Sequence, residues 1–479
     1  MKKSSTVLVS PEEMEKQKQF SELVYAKNLE FAAERGRKPL AFVRTFGCQM
    51  NEHDSEKISG MLEQMGYGFC DGFDEADLII MNTCCVRENA EEKVFGHVGS
   101  LKGLKREKPW LVTAVCGCMT EQPHIVEEIK KKYKNVDLVF GTHNLHRLPE
   151  LLYRVIDGGV RVYETSRTDN EVAEGVPVKR CGNIHAWVTV MYGCDNYCTY
   201  CIVPYVRGHE RSRRPEDILA EVKTLCDLGY KEITLLGQNV NSYGKDLGDA
   251  TDFAELLRLI CENTPISRIR FMTSHPKDIS DRLIAVMAEF PQICNQLHLP
   301  VQSGSTGLLK RMNRHYTREQ YLETVRKVRE VNPGISLTTD IIVGFPGETD
   351  SDFEDTLSLV EEVRFDQAYT FIYSRREGTP AAKYPDQVPE EVVKERFDRL
   401  LALQNRISRE INDRFDGKVV EVLCEGLSKT NIERYTGRTE SNKIVNFTSP
   451  ENVTGRTGKV KIDNIQTWSL EGSLLEIIS

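Results

Sequence analysis

Three cysteines stand where their type and spacing can do chemistry. Cys194, Cys198 and Cys201 form C-x3-C-x2-C in GCDNYCTYC, directly after the apolar run AWVTVMY. Three thiolates on one short loop can hold three irons of a [4Fe–4S] cluster. One iron then stays open for a substrate or cofactor, as one position does in catalytic metal sites. A structural zinc site takes four protein ligands. Cys181 and His185 are the candidates for a fourth, and both lie before the run. A second group of thiols is spread along the first third of the chain. Cys48 follows the run AFVRTF, Cys84 and Cys85 follow DLIIMNT, and Cys116 and Cys118 end or follow WLVTAV.

Those thiols must be positioned by the elements around them. Residues 38–150 alternate short apolar runs at 41–46, 77–83, 110–115 and 136–141 with helical stretches at 54–65, 88–105 and 123–133. Such alternation predicts a parallel α/β sheet. Ligands of such sheets sit beyond the carboxyl ends of the strands, so three strand ends offer thiols at one rim. Residues 185–410 alternate again, with strands expected at 186–192, 232–237, 268–274, 296–302, 336–344 and 367–374. Six βα units predict a barrel or partial barrel. Thr349 with Asp352 has capping-box spacing and marks one helix start. From about Phe415 short alternating runs punctuated by Gly, Asn and Asp predict a small all-β barrel. Residues 11–37 read as a surface helix anchored by Phe20, Leu23, Val24, Leu29 and Phe31, and 165–180 as an exposed linker. The expected division is a helical extension at 1–37, an α/β domain at 38–156, a central domain at 180–411 and a barrel at 414–479.

C-x3-C-x2-C after the first strand of a (βα)6 pattern, with Tyr200 before the last Cys, resembles the radical S-adenosylmethionine (SAM) superfamily. TFGCQMN, NTCCVRENAEEK and CGCMTEQ resemble the N-terminal domain of the methylthiotransferases within it. The resemblance covers the whole chain, its last part being similar to the RNA-binding TRAM domain. YCTYCIVPYVRGHERSR, HLPVQSGS, TTDIIVGFPGET and GRTESNKIVNF resemble the MiaB-type tRNA subgroup. The resemblance implies two [4Fe–4S] clusters. Cys194, Cys198 and Cys201 hold one. By the flanks NTC and GCM, Cys48, Cys84 and Cys118 hold the other, with Cys85 and Cys116 as the competing thiols. It implies that one SAM gives a methyl to sulfur at the N-terminal cluster and a second yields a 5′-deoxyadenosyl radical. The product implied is a methylthio group on C2 of N6-isopentenyladenosine at position 37 of tRNA. The same machinery on a threonylcarbamoyladenosine tRNA or a ribosomal-protein aspartate is the alternative. A non-catalytic iron–sulfur protein is disfavoured, since both triplets leave an iron open and simple carriers close theirs with four ligands.

SAM contacts are expected from Gln238, Asn239, Gln302, Ser303 and the backbone near Gly344. RNA contacts are expected from Arg207, Arg211, Arg213 and Arg214 after the cysteine loop, and from Arg434, Arg438 and Lys443 in the barrel, where Tyr435 and Phe447 mix aromatics with cations. The chain carries a net charge of -9 over 479 residues. An acidic chain lacks a global attraction for phosphate, so RNA binding must use local patches. Residues 415–479 hold eight Lys/Arg against nine Asp/Glu, so the barrel is not basic overall. The charged N-terminus has no signal-peptide h-region and no apolar run reaches the roughly 18 residues of a membrane span. A cytoplasmic monomer served by an electron donor such as flavodoxin or ferredoxin is expected. In that reducing setting 14 Cys point to metal work rather than disulfides. Cys70, Cys181, Cys226, Cys261, Cys294 and Cys424 read as buried apolar residues.

Overall fold

The computed structural model describes residues 6–85, 88–165, 171–180, 182–248, 250–429 and 431–478. Cys181 therefore lies outside the described residues. The N-terminal sheet has six parallel strands in the order Gly68–Phe69, Leu40–Phe46, Leu78–Thr83, Val112–Gly117, Leu138–Phe140 and Val162–Glu164. Leu78–Thr83 is buried throughout because helices cover both faces, as parallel sheets require. Leu78 and Ile80 pack with Ile58, Leu62 and Leu148 on one side. Ile79 and Met81 pack with Val94, Val98 and Ile129 on the other.

The central part has six parallel strands, His185–Thr189, Glu232–Leu236, Arg268–Phe271, Gln296–His298, Ser336–Val343 and Gln367–Ile372. The first three pair in sequence order, as do the last three. The halves join where Ile269 bridges Ile293. Among the described residues the first and sixth strands do not pair, so the barrel is partial. Ile233, Leu235, Ile269, Phe271, Leu297 and Leu337 point outward into the helix-covered core. Their alternates Thr234, Arg270, Gln296 and Thr338 therefore line the inner face. The capping box at Thr349 and Asp352 is present, heading the helix Asp350–Val363.

The helix Glu390–Asp413 leads to a closed five-stranded barrel ordered Val419–Leu427, Tyr435–Arg438, Ile444–Thr448, Leu470–Ile477 and Thr457–Ile465. Its turn at residues 439–443 docks under the central barrel. Arg268 donates to the Arg438 carbonyl at 2.9 Å, and Arg270 to the Thr439 and Glu440 carbonyls at 2.8 and 2.9 Å. These arginines sit at the amino ends of the strands, opposite the rim that carries the thiols.

Two expectations change. The helix Pro11–Arg35 buries Gln17, Ser21, Val24 and Asn28, while Leu23 and Leu29 stay 45% and 55% exposed. Val24 is core and Phe20 packs on Tyr153, as expected of anchors, but polar anchors take the place of Leu23 and Leu29: Gln17 bonds Glu150, and Asn28 donates to the Met65 carbonyl. Of the linker expected at 165–180, residues 166–170 lie outside the described residues, and 171–180 form a packed strap rather than an exposed linker. Glu171–Val172 pairs with Val7–Leu8. Arg180 bonds both Glu56 of the first part and Glu221 of the second. A Cβ on Gly60 would lie 2.4 Å from the Pro177 carbonyl, so only glycine lets the strap pass.

Candidate functional site

The strands Leu40–Phe46, Leu78–Thr83 and Val112–Gly117 are adjacent, in a register that aligns Phe46, Thr83 and Gly117. Cys48, Cys84 and Cys118 therefore leave the sheet side by side. Gly47 has φ +152 and a Cβ there would lie 2.5 Å from Cys84 Cβ; Gly117 has φ +100 and a Cβ there would meet the Thr83 carbonyl at 2.4 Å. Both glycines permit a backbone approach that a side chain forbids. Beneath the thiols Asn51 and Asn82 form a buried brace. Asn51 donates to Asn82 Oδ1 at 3.1 Å and the Thr83 carbonyl at 3.2 Å, and Asn82 donates to the Asn51 carbonyl and Ser55 Oγ. The thiol of Cys48 faces Asn51 Oδ1 at 3.3 Å.

The neighbouring thiols separate by environment. Cys116 points back into the apolar core with Ile58, Leu62 and Ala114, and burial pushes its thiol well up. Cys85 packs with Cys118, Ile202 and Val206. It donates to Cys118, which holds its own thiol well up and draws Cys118 down. Cys84 bonds the Cys48 sulfur, and with the Arg207 charge it lowers Cys48 to about 6. A thiolate is the metal-ligating form, and the local field draws Cys48 and Cys118 towards it.

The second triplet lies on a loop whose ends are tied. Cys194 N–H donates to the Gly208 carbonyl at 3.2 Å. Gly193, at φ +73, would carry a Cβ 2.0 Å from the His209 carbonyl. Asn196 donates to Cys194 Sγ at 3.4 Å and Arg314 to Cys198 Sγ at 3.5 Å. Burial pushes Cys201 up to about 12 and Cys194 further, so ionising these thiols depends on a cation binding among them. Non-glycine residues in left-handed backbone gather at this rim: Tyr197, Thr273, Gln302, Asn313 and His315. Such strain persists where surroundings enforce it, and it clusters at ligand sites. His185 is not among them; it bonds Thr234 Oγ1 at 2.9 Å at the amino end of its strand. Each set offers three thiols, and a four-iron cluster takes each thiolate on a different iron with one iron left over, so the chemistry of the donors fits clusters.

The two thiol sets meet through one side chain. Arg207, 4% exposed, ends the helix Val203–Arg207 that follows Cys201. Its Nε donates to Cys118 Sγ at 3.1 Å and Nη2 to Asp54 Oδ2 at 2.8 Å. The helix Gln49–Gln64 also docks on the central barrel, where His53 Nδ1 lies 2.6 Å from Thr189 Oγ1.

The expected SAM contacts all reach the thiol-bearing rim, with different freedom. Gln238 keeps a buried Oε1 with no protein partner. Asn239 is engaged, donating to Asp278 and accepting from His275 N–H. Gln302 holds its left-handed turn through backbone bonds to Asp340 and Ile342. Ser303 is fully buried and bonds Thr356 Oγ1 and Ser305 N–H, so it is corrected to a turn-forming residue. Gly344 donates to Glu348 and sits against Val393, where a Cβ would approach Cγ2 to 2.5 Å. Asn241, Ser274 and His275 carry further buried polar atoms without protein partners. The strings QNVN and TSHP beyond strands two and three were the available signal.

The expected RNA contacts need correction more sharply. Arg207, Arg211 and Arg213 are 4–6% exposed. Arg213 is held by Glu174, Glu221 and the Thr189 carbonyl, and Lys443 is paired with Asp366 at 2.8 Å inside the barrel junction. The charges of Arg207, Arg213 and Lys443 join parts of the fold. Arg214, Arg434 and Arg438 keep 35–47% exposure, each beside a carboxylate. Phe447 is core.

Family models match three stretches: the Radical SAM superfamily at 188–360, Uncharacterized protein family UPF0004 at 41–141, and the TRAM domain at 413–475. Curated relatives called tRNA-2-methylthio-N(6)-dimethylallyladenosine synthase align nearly end to end. The one from Acetivibrio thermocellus is 60% identical over 98% of both chains. Those from Clostridioides difficile and Alkaliphilus oremlandii are 52% and 54% identical over 99% of this chain and 100% of theirs. Among solved structures, the radical S-adenosylmethionine methyltransferase TsrM from Kitasatospora setae, with cobalamin and a [4Fe-4S] cluster bound, has a TM-score of 0.54 at 15% identity. The match covers 72% of this chain and 77% of that one, a likeness of fold.

Proposed function

The chain belongs to the tRNA-2-methylthio-N(6)-dimethylallyladenosine synthase family of radical SAM enzymes, and from that we propose that its target is adenosine 37, beside the anticodon. It is a transferase that adds a methylthio group to C2 of N6-isopentenyladenosine in tRNA. We assign 38–156 to the sulfur-carrying domain, 180–411 to the radical core and 414–479 to RNA binding, with 1–37 as a helical extension.

We further propose two [4Fe–4S] centres, one on Cys194, Cys198 and Cys201 and one on Cys48, Cys84 and Cys118. When bound, they supply a one-electron reductant with an iron open to SAM and a second iron open to sulfur. The reading rests on one observation above all: the Arg207 bond to Cys118, which starts from the loop bearing the other three thiols. It ties both thiol sets to one location, and holding two reactants close lowers the entropic barrier to their reaction.

The chain's own residues then act on binding and orientation. Gln238, Asn241, Ser274 and His275 offer unpartnered polar atoms to the polar groups of SAM. His275 is pushed far below the ordinary imidazole range by burial and the Arg314 charge, so it meets a ligand neutral. Asn239 orients that wall through Asp278 and His275. Gln302 and Gly344 shape the remaining turns. Arg214, Arg434 and Arg438 keep enough exposure for phosphates. No helix among the described residues is long and apolar enough to cross a membrane. A cytoplasmic monomer fed by flavodoxin or ferredoxin completes the proposal.

The test is anaerobic reconstitution with iron and sulfide, then addition of SAM, reductant and isopentenylated tRNA, with nucleoside mass spectrometry. Methylthio-isopentenyladenosine mapped to position 37 is the expected product. Modification at another position, or of a threonylcarbamoylated tRNA or ribosomal-protein aspartate instead, overturns the assignment.

A further inference from the structure

We propose that Arg207 is a positioning residue that sets the electron affinity of the N-terminal metal centre from the radical domain, with Asp54 as its counterweight. The proposal rests on the two-centre reading above. Three observations carry it. Arg207 is buried, so water screens its charge little, and its Nε meets Cys118 Sγ at 3.1 Å. Its other edge is held by Asp54 at 2.8 Å, with both side chains under a tenth exposed. Asp54 lies on the helix Gln49–Gln64 whose cap is Cys48. One guanidinium thus joins the third thiol of the N-terminal set to the helix that the first thiol caps, while its backbone belongs to the short helix that follows the loop of the other set.

The direction of its effect follows from electrostatics. A donor on a ligand sulfur and a cation beside it stabilise the more negative, reduced form of an iron–sulfur centre. Asp54 opposes that and limits it. The same contact gives mechanical coupling, because Cys194 N–H and the Gly208 carbonyl close the loop that carries Arg207. A shift of the radical domain's cysteine loop is therefore felt at Cys118.

The pair makes a signed test. In full-length chain with Cys194, Cys198 and Cys201 replaced by Ala, only the N-terminal centre is read. Its reduction potential is measured by electron paramagnetic resonance during a dithionite titration. Arg207→Met is expected to lower the electron affinity about tenfold, the scale of one charged hydrogen bond, which is about 59 mV for a one-electron couple. Asp54→Asn is expected to raise it, and Arg207→Lys to fall between wild type and Met. A shift in the same direction for Arg207→Met and Asp54→Asn marks simple loosening and overturns the proposal, as does no shift in either. If Arg207→Met fails to fold, Asp54→Asn and Arg207→Lys still carry the sign. Absence of iron in the parent of this series sinks the two-centre reading itself, and the proposal with it.

Discussion

Replacing Arg270 by Met tests how the RNA-binding barrel is locked to the core. Arg270 lies on the inner face of the central barrel with its side chain 5% exposed, against 6% for Glu232. It donates to Glu232 at 3.0 Å, Gln296 at 3.1 Å and the Thr439 and Glu440 carbonyls at 2.8 and 2.9 Å. Arg270→Met leaves a buried carboxylate and two acceptors, Gln296 Oε1 and the Glu440 carbonyl, without a donor, while the Thr439 carbonyl keeps the Asn442 N–H. Breaking a buried pair by removing one partner costs about 3–5 kcal/mol. Adding Glu232→Gln removes the orphan charge, so the double variant should recover about 1–3 kcal/mol of that loss. Urea unfolding of the anaerobic full-length chain reads this through Trp187 fluorescence, because Trp187 shares the inner face beside His185. Limited proteolysis of residues 414–479 reports undocking of the barrel. A single variant within about 1 kcal/mol of wild type, or a double variant less stable than the single, refutes the reasoning.

Further outcomes follow from the same geometry. Cys84→Ala should lose iron from the N-terminal centre while Cys85→Ala retains it, measured as iron per chain; loss only in Cys85→Ala reverses the ligand choice. Gly193→Ala should empty the Cys194, Cys198 and Cys201 site with secondary structure kept, since its Cβ would lie 2.0 Å from the His209 carbonyl; full iron loading in that variant contradicts the crowding. Burial pushes His146 and His185 down from 6.5 to about 4. The unfolded chain therefore takes up protons first, and stability, fully present above about pH 6.5, should fall as pH drops towards about 4. His185→Gln keeps a partner for Thr234 and should flatten that slope in a pH series of urea midpoints; an unchanged slope rules His185 out as a contributor.

Much of this protein was legible in its sequence because the signals are local. The spacing in GCDNYCTYC, the strand-and-thiol pairing at Cys48, Cys84 and Cys118, and the alternation of apolar runs act over a few residues. They yielded the three-part architecture and the class of chemistry. Charged side chains were read poorly, since a guanidinium's role depends on partners far along the chain. Arg207 faces Asp54 from 153 positions away, Arg213 and Arg180 clamp the strap, and Lys443 closes a domain junction. A run of arginines after a cysteine loop looks like a phosphate patch until the fold buries it. The same holds for Ser303, whose hydroxyl meets Thr356 of the helix Asp350–Val363, 53 positions on. Cys85 and Cys116 sit within two positions of Cys84 and Cys118 in sequence. Tertiary packing turned Cys116 into the core and left Cys85 donating to Cys118. The sequence alone thus determined which elements form and which segments bring thiols to a rim. Only the tertiary structure decided which charges face solvent, because burial and pairing are set by contacts between distant segments.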